Sequence, residues 1–217
     1  MQTASLEAQT MAIDNSTLTE KVKLRQRVLA RCLAPDVLET HGGYGRIFER
    51  TWYKARGGLV LEKDADKAEH LARQRPTWSV YHGDCERALS AGLARSTPFD
   101  VIDLDPYGQP FEVLGALALP GRTFPDVWHL VVNDGNRQKV QRGGAWHMET
   151  LAGAVRRHGA NLYGIYLEVA RECVEEFADK IGFELAGWTG YYAGKNDMMT
   201  HYWAMLRHRG QAAPARL

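Results

Sequence analysis

Apolar residues in this chain fall into two alternating patterns. Compact apolar runs, each closed by a polar residue or glycine, lie at Asp36 to Glu39, Gly58 to Glu62, Trp78 to His82, Phe99 to Leu104 and Val127 to Val132. Runs of that kind read as buried strands. Between them, apolar positions recur at helical spacing. Leu18, Val22, Leu29 and Leu33 share one face of a predicted helix from Thr17 to about Leu33, opened by the capping box Thr17-Leu18-Thr19-Glu20. The other face carries Lys21, Lys23, Arg25, Arg27 and Arg31 and is predicted to be solvated. Further helices are predicted from about Gly45 to Ala55, Asp64 to Arg73, Asp84 to about Ala94, near Met148 to Arg157, and from Leu167 to Ile181. Phe183 to Tyr192 and His201 to Leu206 read as two last strands joined by the Gly194-Lys195-Asn196-Asp197 turn, and so as an antiparallel pair. Asn136 to Tyr163 is the least regular segment and reads as a loop followed by a helix.

Strands alternating with helices predict a single α/β domain, residues 17–209, with a doubly wound, mostly parallel sheet of seven strands and an antiparallel strand near the C-terminus. Residues 1–16 read as a loose leader without a signal-peptide core, and residues 210–217 as a tail.

Composition narrows the function classes. The 217 residues carry a net charge of +1, so no global field draws the chain to nucleic acid or membrane, and any basic surface is local. Cys32, Cys85 and Cys173 are far apart and form no C-x-x-C knuckle. They indicate a reducing, cytoplasmic setting and offer no metal-binding motif. No apolar run has the length of a membrane span.

Open α/β sheets bind ligands at the carboxyl ends of their strands. The first strand here ends in Glu39-Thr40-His41-Gly42-Gly43-Tyr44-Gly45, where Gly43 and Gly45 let backbone approach a ligand closely. The second ends in Glu62-Lys63, with the carboxylate placed for ribose hydroxyls. The third leads into Gly83-Asp84-Cys85, with Asp84 placed for an adenine amine or, equally, for capping the next helix. The fourth ends in Asp105-Pro106-Tyr107-Gly108. That tetrapeptide suits a type I turn, and it also suits a site for a flat amine: an acceptor, a stiff proline and a stacking ring. Glu62 stands 17 positions after Gly45, as an acid does in dinucleotide fingerprints, but G-x-G-x-x-G spacing is not met and no phosphate loop follows. A nucleoside without phosphates fits better than a nicotinamide dinucleotide.

From about Pro35 to Leu206 the chain resembles the class I S-adenosylmethionine-dependent methyltransferases. Glu39, Gly43 and Gly45 match their acid-x-Gly-x-Gly-x-Gly turn, Glu62 the ribose acid and Asp84 the acid near adenine. Asp105-Pro106-Tyr107 matches the Asp/Asn-Pro-Pro-Tyr/Phe motif of nucleic-acid amino-methyltransferases. The single proline followed by an aromatic and glycine looks most like the tRNA guanine N2-dimethyltransferases. The resemblance implies S-adenosyl-L-methionine as cofactor, bound by Glu39, His41, Gly43, Gly45, Glu62, Lys63, Asp84, Cys85 and Asp105. It implies a nucleobase amine of DNA or RNA as substrate, with Asp105, Pro106 and Tyr107 catalytic and Tyr107 and Gly108 touching the base. Arg137, Lys139 and Arg142 cluster in the irregular segment and are candidates for substrate phosphates. The chain departs from the pattern at His41, which replaces the first glycine, and in lacking both the second proline and the additional domain of the tRNA enzymes. A small-molecule or protein N-methyltransferase, or a non-catalytic binder of the cofactor, shares every cofactor residue.

Overall fold

The computed structural model describes residues 17–106, 108–140 and 148–210. The leader, Tyr107, Arg142, Trp146, His147 and all of the tail but Gly210 lie outside the described residues. In chain order the elements are α1 (Leu18–Leu29), β1 (Asp36–Glu39), α2 (Arg46–Arg50), β2 (Gly57–Glu62), α3 (Ala65–Gln74), β3 (Ser79–His82), α4 (Cys85–Ser90), β4 (Val101–Leu104), α5 (Phe111–Leu117), β5 (Val127–Asp134), α6 (Arg137–Val140), α7 (Glu149–His158), α8 (Tyr166–Lys180), β6 (Phe183–Ala193) and β7 (Met199–His208). One seven-stranded sheet runs in the order β3-β2-β1-β4-β5-β7-β6. Strands β1 to β5 are parallel, and β7 pairs antiparallel with both β5 and β6. The expected doubly wound sheet is therefore present.

Each face of the sheet carries its own core, because residue parity along a strand sends alternate side chains to opposite sides. Val37, Val60, Val101, Val131 and Trp203 face one way and pack with Leu24 and Val28 of α1, Ile47 and Trp52. Leu38, Leu61, Ile102, Leu104, Leu130, Val132 and Leu206 face the other way, against α5, α7 and α8. The strand order reverses between β1 and β4, and the carboxyl ends of those strands bear the candidate residues.

Several local expectations are corrected. α1 ends at Leu29, and Leu33 is 87% exposed rather than on the buried stripe. Thr17 makes no side-chain cap bond; it is buried, and its methyl group lies against Gly194. The helix expected from Gly45 to Ala55 breaks at Thr51, whose hydroxyl donates to the Ile47 carbonyl at 2.6 Å, and continues as a short 3-10 turn, Trp52–Lys54. α4 stops at Ser90, short of Ala94. α5 carries no helical signal in the sequence: Pro110 and Pro120 enclose it and Gly115 interrupts its middle, so its local sequence reads as turn. β5 continues through Asn133 and Asp134 because β7 pairs with it to that point.

Candidate active site

The basic face predicted for α1 is solvated at Lys23, Arg27 and Arg31, all exposed, but not at Lys21 and Arg25. Arg25 is fully buried and clamps Asp103 of β4, its Nε donating to Oδ2 at 2.7 Å and a terminal nitrogen to Oδ1. Trp52 Nε1 donates to the same carboxylate at 2.6 Å. Desolvation of Arg25 is outweighed by Asp103, which raises the guanidinium above its ordinary pKa. One turn earlier on α1, Lys21 Nζ reaches both oxygens of Asp105, at 2.8 and 3.0 Å. Asp103 and Asp105 share a sheet face by strand parity, and Lys21 and Arg25 share a helix face by their spacing of four. Burial pushes the Asp105 carboxyl up, but Lys21 and Arg25 more than offset it and hold it below the usual carboxylate range. Asp105 is therefore an ionised acceptor, 23% exposed at the end of β4.

The DPYG segment is pinned by its neighbours. Gly108 N–H donates to the Pro106 carbonyl at 2.8 Å, so the bond closes on Pro106 and not on Asp105 as a type I turn requires. The Gly108 carbonyl accepts from Gly135 N–H at 2.7 Å, tying the segment to the end of β5. Gly108 has a φ of +133°, which favours glycine, and a Cβ there would come 3.1 Å from Lys139 Nζ. Lys139 thus stands beside the motif.

Arg137 does not. It is buried, held between the rings of Tyr163 and Tyr192 at 3.7 Å each. It donates through Nε to the Tyr163 carbonyl at 3.0 Å and through Nη1 to the Asp197 carbonyl. Its expected contact with substrate phosphates is corrected to a fold-holding role, since the residue is buried, stacked on two rings and bonded through two nitrogens to backbone carbonyls.

The first-strand turn takes its positive φ angles at Gly43 (+53°) and Gly45 (+73°), so histidine at position 41 causes no left-handed strain. A Cβ on Gly43 would meet nothing within 4 Å, leaving open space over that backbone, whereas one on Gly45 would collide with the Gln74 carboxamide. Glu62 accepts from Gly43 N–H at 2.8 Å and from Asp64 N–H at 3.0 Å, which fixes the two loops to each other. The next residue, Lys63, is exposed, and its carbonyl lies 3.2 Å from His82 Nε2. The His41 ring lies 2.8 Å from Thr40 Oγ1 through Nδ1 and 3.4 Å from Cys85 Sγ through Nε2. Burial lowers the His41 pKa against the pull of Asp105, Glu62 and Asp84, whose charges all reach the ring, so the imidazole is neutral. Burial pushes the Cys85 thiol up to about 11. Asp84 is exposed and caps α4, accepting from Arg87 N–H at 3.0 Å, the structural alternative left open by sequence.

Glu39 is engaged within the protein. It is buried and paired with the fully buried Arg75, and burial raises its carboxyl to about 7 despite that partner. That ion pair joins residues 36 positions apart in sequence and occupies one oxygen of the carboxylate expected for the cofactor.

Sequence reasoning also missed the far end of β5. On one face Asp134 accepts from Asn136 N–H at 2.7 Å, Tyr166 OH at 2.8 Å and Tyr202 OH at 3.5 Å, and burial holds its carboxyl up near 7. On the other face Asn133 and His201 lie fully buried. The Asn-Asp-Gly string marked the end of a strand, but nothing local showed what packs on it. Among the described residues no group of three or more His, Cys, Asp or Glu forms a candidate metal site. No described helix is long and apolar enough to cross a membrane.

No protein-family model matches the chain, and no curated protein matches it. Solved structures do. The chain is similar to Trm1 from Pyrococcus horikoshii in complex with S-adenosyl-L-methionine, at 14% identity and a TM-score of 0.59, over 89% of this chain and 55% of that one. It is similar to TYW2 from M. jannaschii in complex with AdoMet, at 11% identity and a TM-score of 0.60, over 92% and 79%. It is also similar to the N-methyltransferase NodS from Bradyrhizobium japonicum WM9 in complex with S-adenosyl-l-homocysteine, at 12% identity and a TM-score of 0.58, over 90% and 89%. The chain spans little more than half the length of the Trm1 structure. At these identities the likeness establishes the fold alone, an α/β Rossmann-like architecture shared with those proteins.

Proposed function

We propose that this chain is an S-adenosylmethionine-dependent N-methyltransferase acting on the exocyclic amine of a nucleobase in DNA or RNA. The observation that carries the reading is the placement of Glu62, bonded to Gly43 N–H, and of Asp105 at the ends of the two strands that flank β1, next to the open backbone of Gly43, at the point where the strand order reverses. The residues fit the cofactor: open space at Gly43 leaves room for its methionine part, and Glu62 keeps lone pairs for ribose hydroxyls beyond its two backbone bonds. Lys63, Asp84 and Cys85 would border the adenine, and His41 would stand between that edge and Asp105. Bound S-adenosylmethionine supplies an electrophilic methyl on a sulfonium.

The protein's task is to present the amine. An exocyclic amine shares its lone pair with the ring and is a poor nucleophile. Asp105, held ionised, accepts one N–H; the Pro106 carbonyl, with a lone pair beyond its bond to Gly108, accepts another. Two such bonds draw the nitrogen toward tetrahedral geometry, with its lone pair aimed at the methyl. Orientation supplies the remaining rate. Lys21 must first yield the carboxylate, which an incoming amine can exchange for its own N–H. Tyr107 would stack on the ring, and Lys139 would meet a phosphate beside Gly108. A base in a duplex would be flipped out to reach Asp105.

The test is incubation with labelled donor and mixed DNA and RNA, followed by nucleoside mass spectrometry. A methylated amino nucleoside is expected and would name polymer and atom. Incorporation into neither polymer, with donor bound, would refute the nucleic-acid reading. The burial of Arg137 favours a second reading, an amine on a small molecule or protein, since it removes one of three expected phosphate contacts. Activity on such an acceptor that hardly responds to salt would select it.

A further inference from the structure

Asp105 belongs to a row of polar side chains that crosses the sheet. β4 and β5 pair in register up to Leu104 and Val132, which sets Asp105 beside Asn133, and β7 sets His201 directly opposite Asn133. Tyr191 of β6 pairs opposite His201 and meets its ring edge-on at 5.5 Å. All four share the α1 face, because Val131 and Trp203, two residues away on their strands, pack with Leu24 and Val28. At about 4.8 Å between strands, Asp105, Asn133 and His201 span about 10 Å.

Asn133 and His201 are 0% exposed, yet both ends of the Asn133 amide and both nitrogens of the His201 ring make no hydrogen bond among the described residues. Asn133 lies near enough to help hold Asp105 low, but without ordinary bond geometry. Buried polar atoms almost always find partners, so four unpaired atoms side by side next to a partly exposed carboxylate call for a ligand. The amide offers an acceptor and two donors; burial holds the His201 ring neutral, offering one donor and one acceptor. That set is complementary to the edge of a heterocycle, where ring nitrogens and carbonyls alternate as donors and acceptors. The row opens to solvent at Asp105 and is covered by the first turn of α1, held there by Lys21 on Asp105 and by Tyr191 OH donating to the Glu20 carbonyl at 2.7 Å. This turn has no side-chain N-cap.

We propose that Asn133 and His201 are specificity residues that read the ring edge of the base whose amine Asp105 holds, reached when Lys21 releases Asp105 and the first turn of α1 lifts. The proposal rests on the nucleobase methyltransferase reading above. It makes an unusual demand on stability: removing unpaired buried polar groups should not harm the free protein.

The test uses the full chain as wild type, Asn133→Ala and His201→Phe, with three readouts: thermal unfolding, donor affinity by calorimetry, and KM with the nucleoside product of methyl transfer. Both variants are expected to melt at or above the wild-type temperature and to bind donor unchanged. They should raise KM for nucleic acid at least tenfold, by the loss of two hydrogen bonds, or methylate a second nucleoside. Wild-type activity with variants of unchanged KM and product overturns this inference alone. So does a fall in melting temperature in both variants, which would make the pair structural. Donor binding without any methylation of nucleic acid by the wild type overturns the parent reading, and this one with it.

Discussion

Replacing Arg25 with methionine tests whether the inward-facing cation of α1 is what holds the end of β4. The substitution keeps length and apolar stem but leaves the Asp103 carboxylate, 1% exposed, with Trp52 Nε1 as its remaining bonded donor. Removing one partner of a buried ion pair costs about 3–5 kcal/mol, because the charge left behind has lost its water and gained nothing. That is a large share of a total stability of about 5–15 kcal/mol. With a urea slope of about 2 kcal/mol/M, the midpoint should fall by about 1.5–2.5 M. Urea unfolding at pH 7.5, followed by tryptophan fluorescence, measures it. The double variant Arg25→Met with Asp103→Leu should recover about 2 kcal/mol, leaving about 1–3 kcal/mol for the unpaired Trp52 N–H. A single variant within about 1 kcal/mol of wild type would refute the reasoning, since an exposed cation would behave that way.

Four further outcomes follow from the site. Asp105→Ala should abolish methyl transfer while donor affinity by calorimetry stays within a few fold; retained activity would remove Asp105 from the chemistry. Lys21→Met should move the acid limb of the pH–rate profile to higher pH, because Lys21 holds the Asp105 carboxyl low and without it the inactive protonated form persists further up the scale. An unmoved limb would show that this charge is not the one being titrated. Glu62→Gln should weaken donor binding at least tenfold, since one oxygen that accepts from Gly43 or Asp64 becomes a donor; equal affinity would refute the ribose assignment. Burial lowers His129, which accepts from Trp203 Nε1 at 3.2 Å, to about 4, so the unfolded chain binds its proton first as pH falls. Stability from this residue is full above about pH 6.5 and is lost on the way down to about pH 4, on the order of 3 kcal/mol in all. Urea titrations of His129→Asn across that window should show a shallower loss, and a parallel curve would assign the loss elsewhere.

The order of strands and helices was legible in the sequence because its signals are local. A compact apolar run closed by a carboxylate or a glycine reads as a buried strand whatever packs on it, and parallel strands put their ends, and so Gly43, Glu62, Asp84 and Asp105, on one edge of the sheet. What lay on those ends was decided by contacts distant in sequence. Lys21 and Arg25 read as part of a solvated helix face, yet acids 84 and 78 positions away, just beyond β4 and on it, turn these two residues inward. Arg137 read as a free cation until Tyr163 and Tyr192 closed on it from either side. α5 was hidden by its prolines and glycine, since packing of Phe111 and Leu114 into the core overrides weak local propensity. The row from Asp105 through Asn133 to His201 exists only because β7 inserts antiparallel between β5 and β6, a pairing set by register across the sheet and invisible in any single segment. Periodicity along the chain thus determines which residues can reach the strand ends, and the charges and unpaired atoms brought there from elsewhere determine which of them remain able to bind.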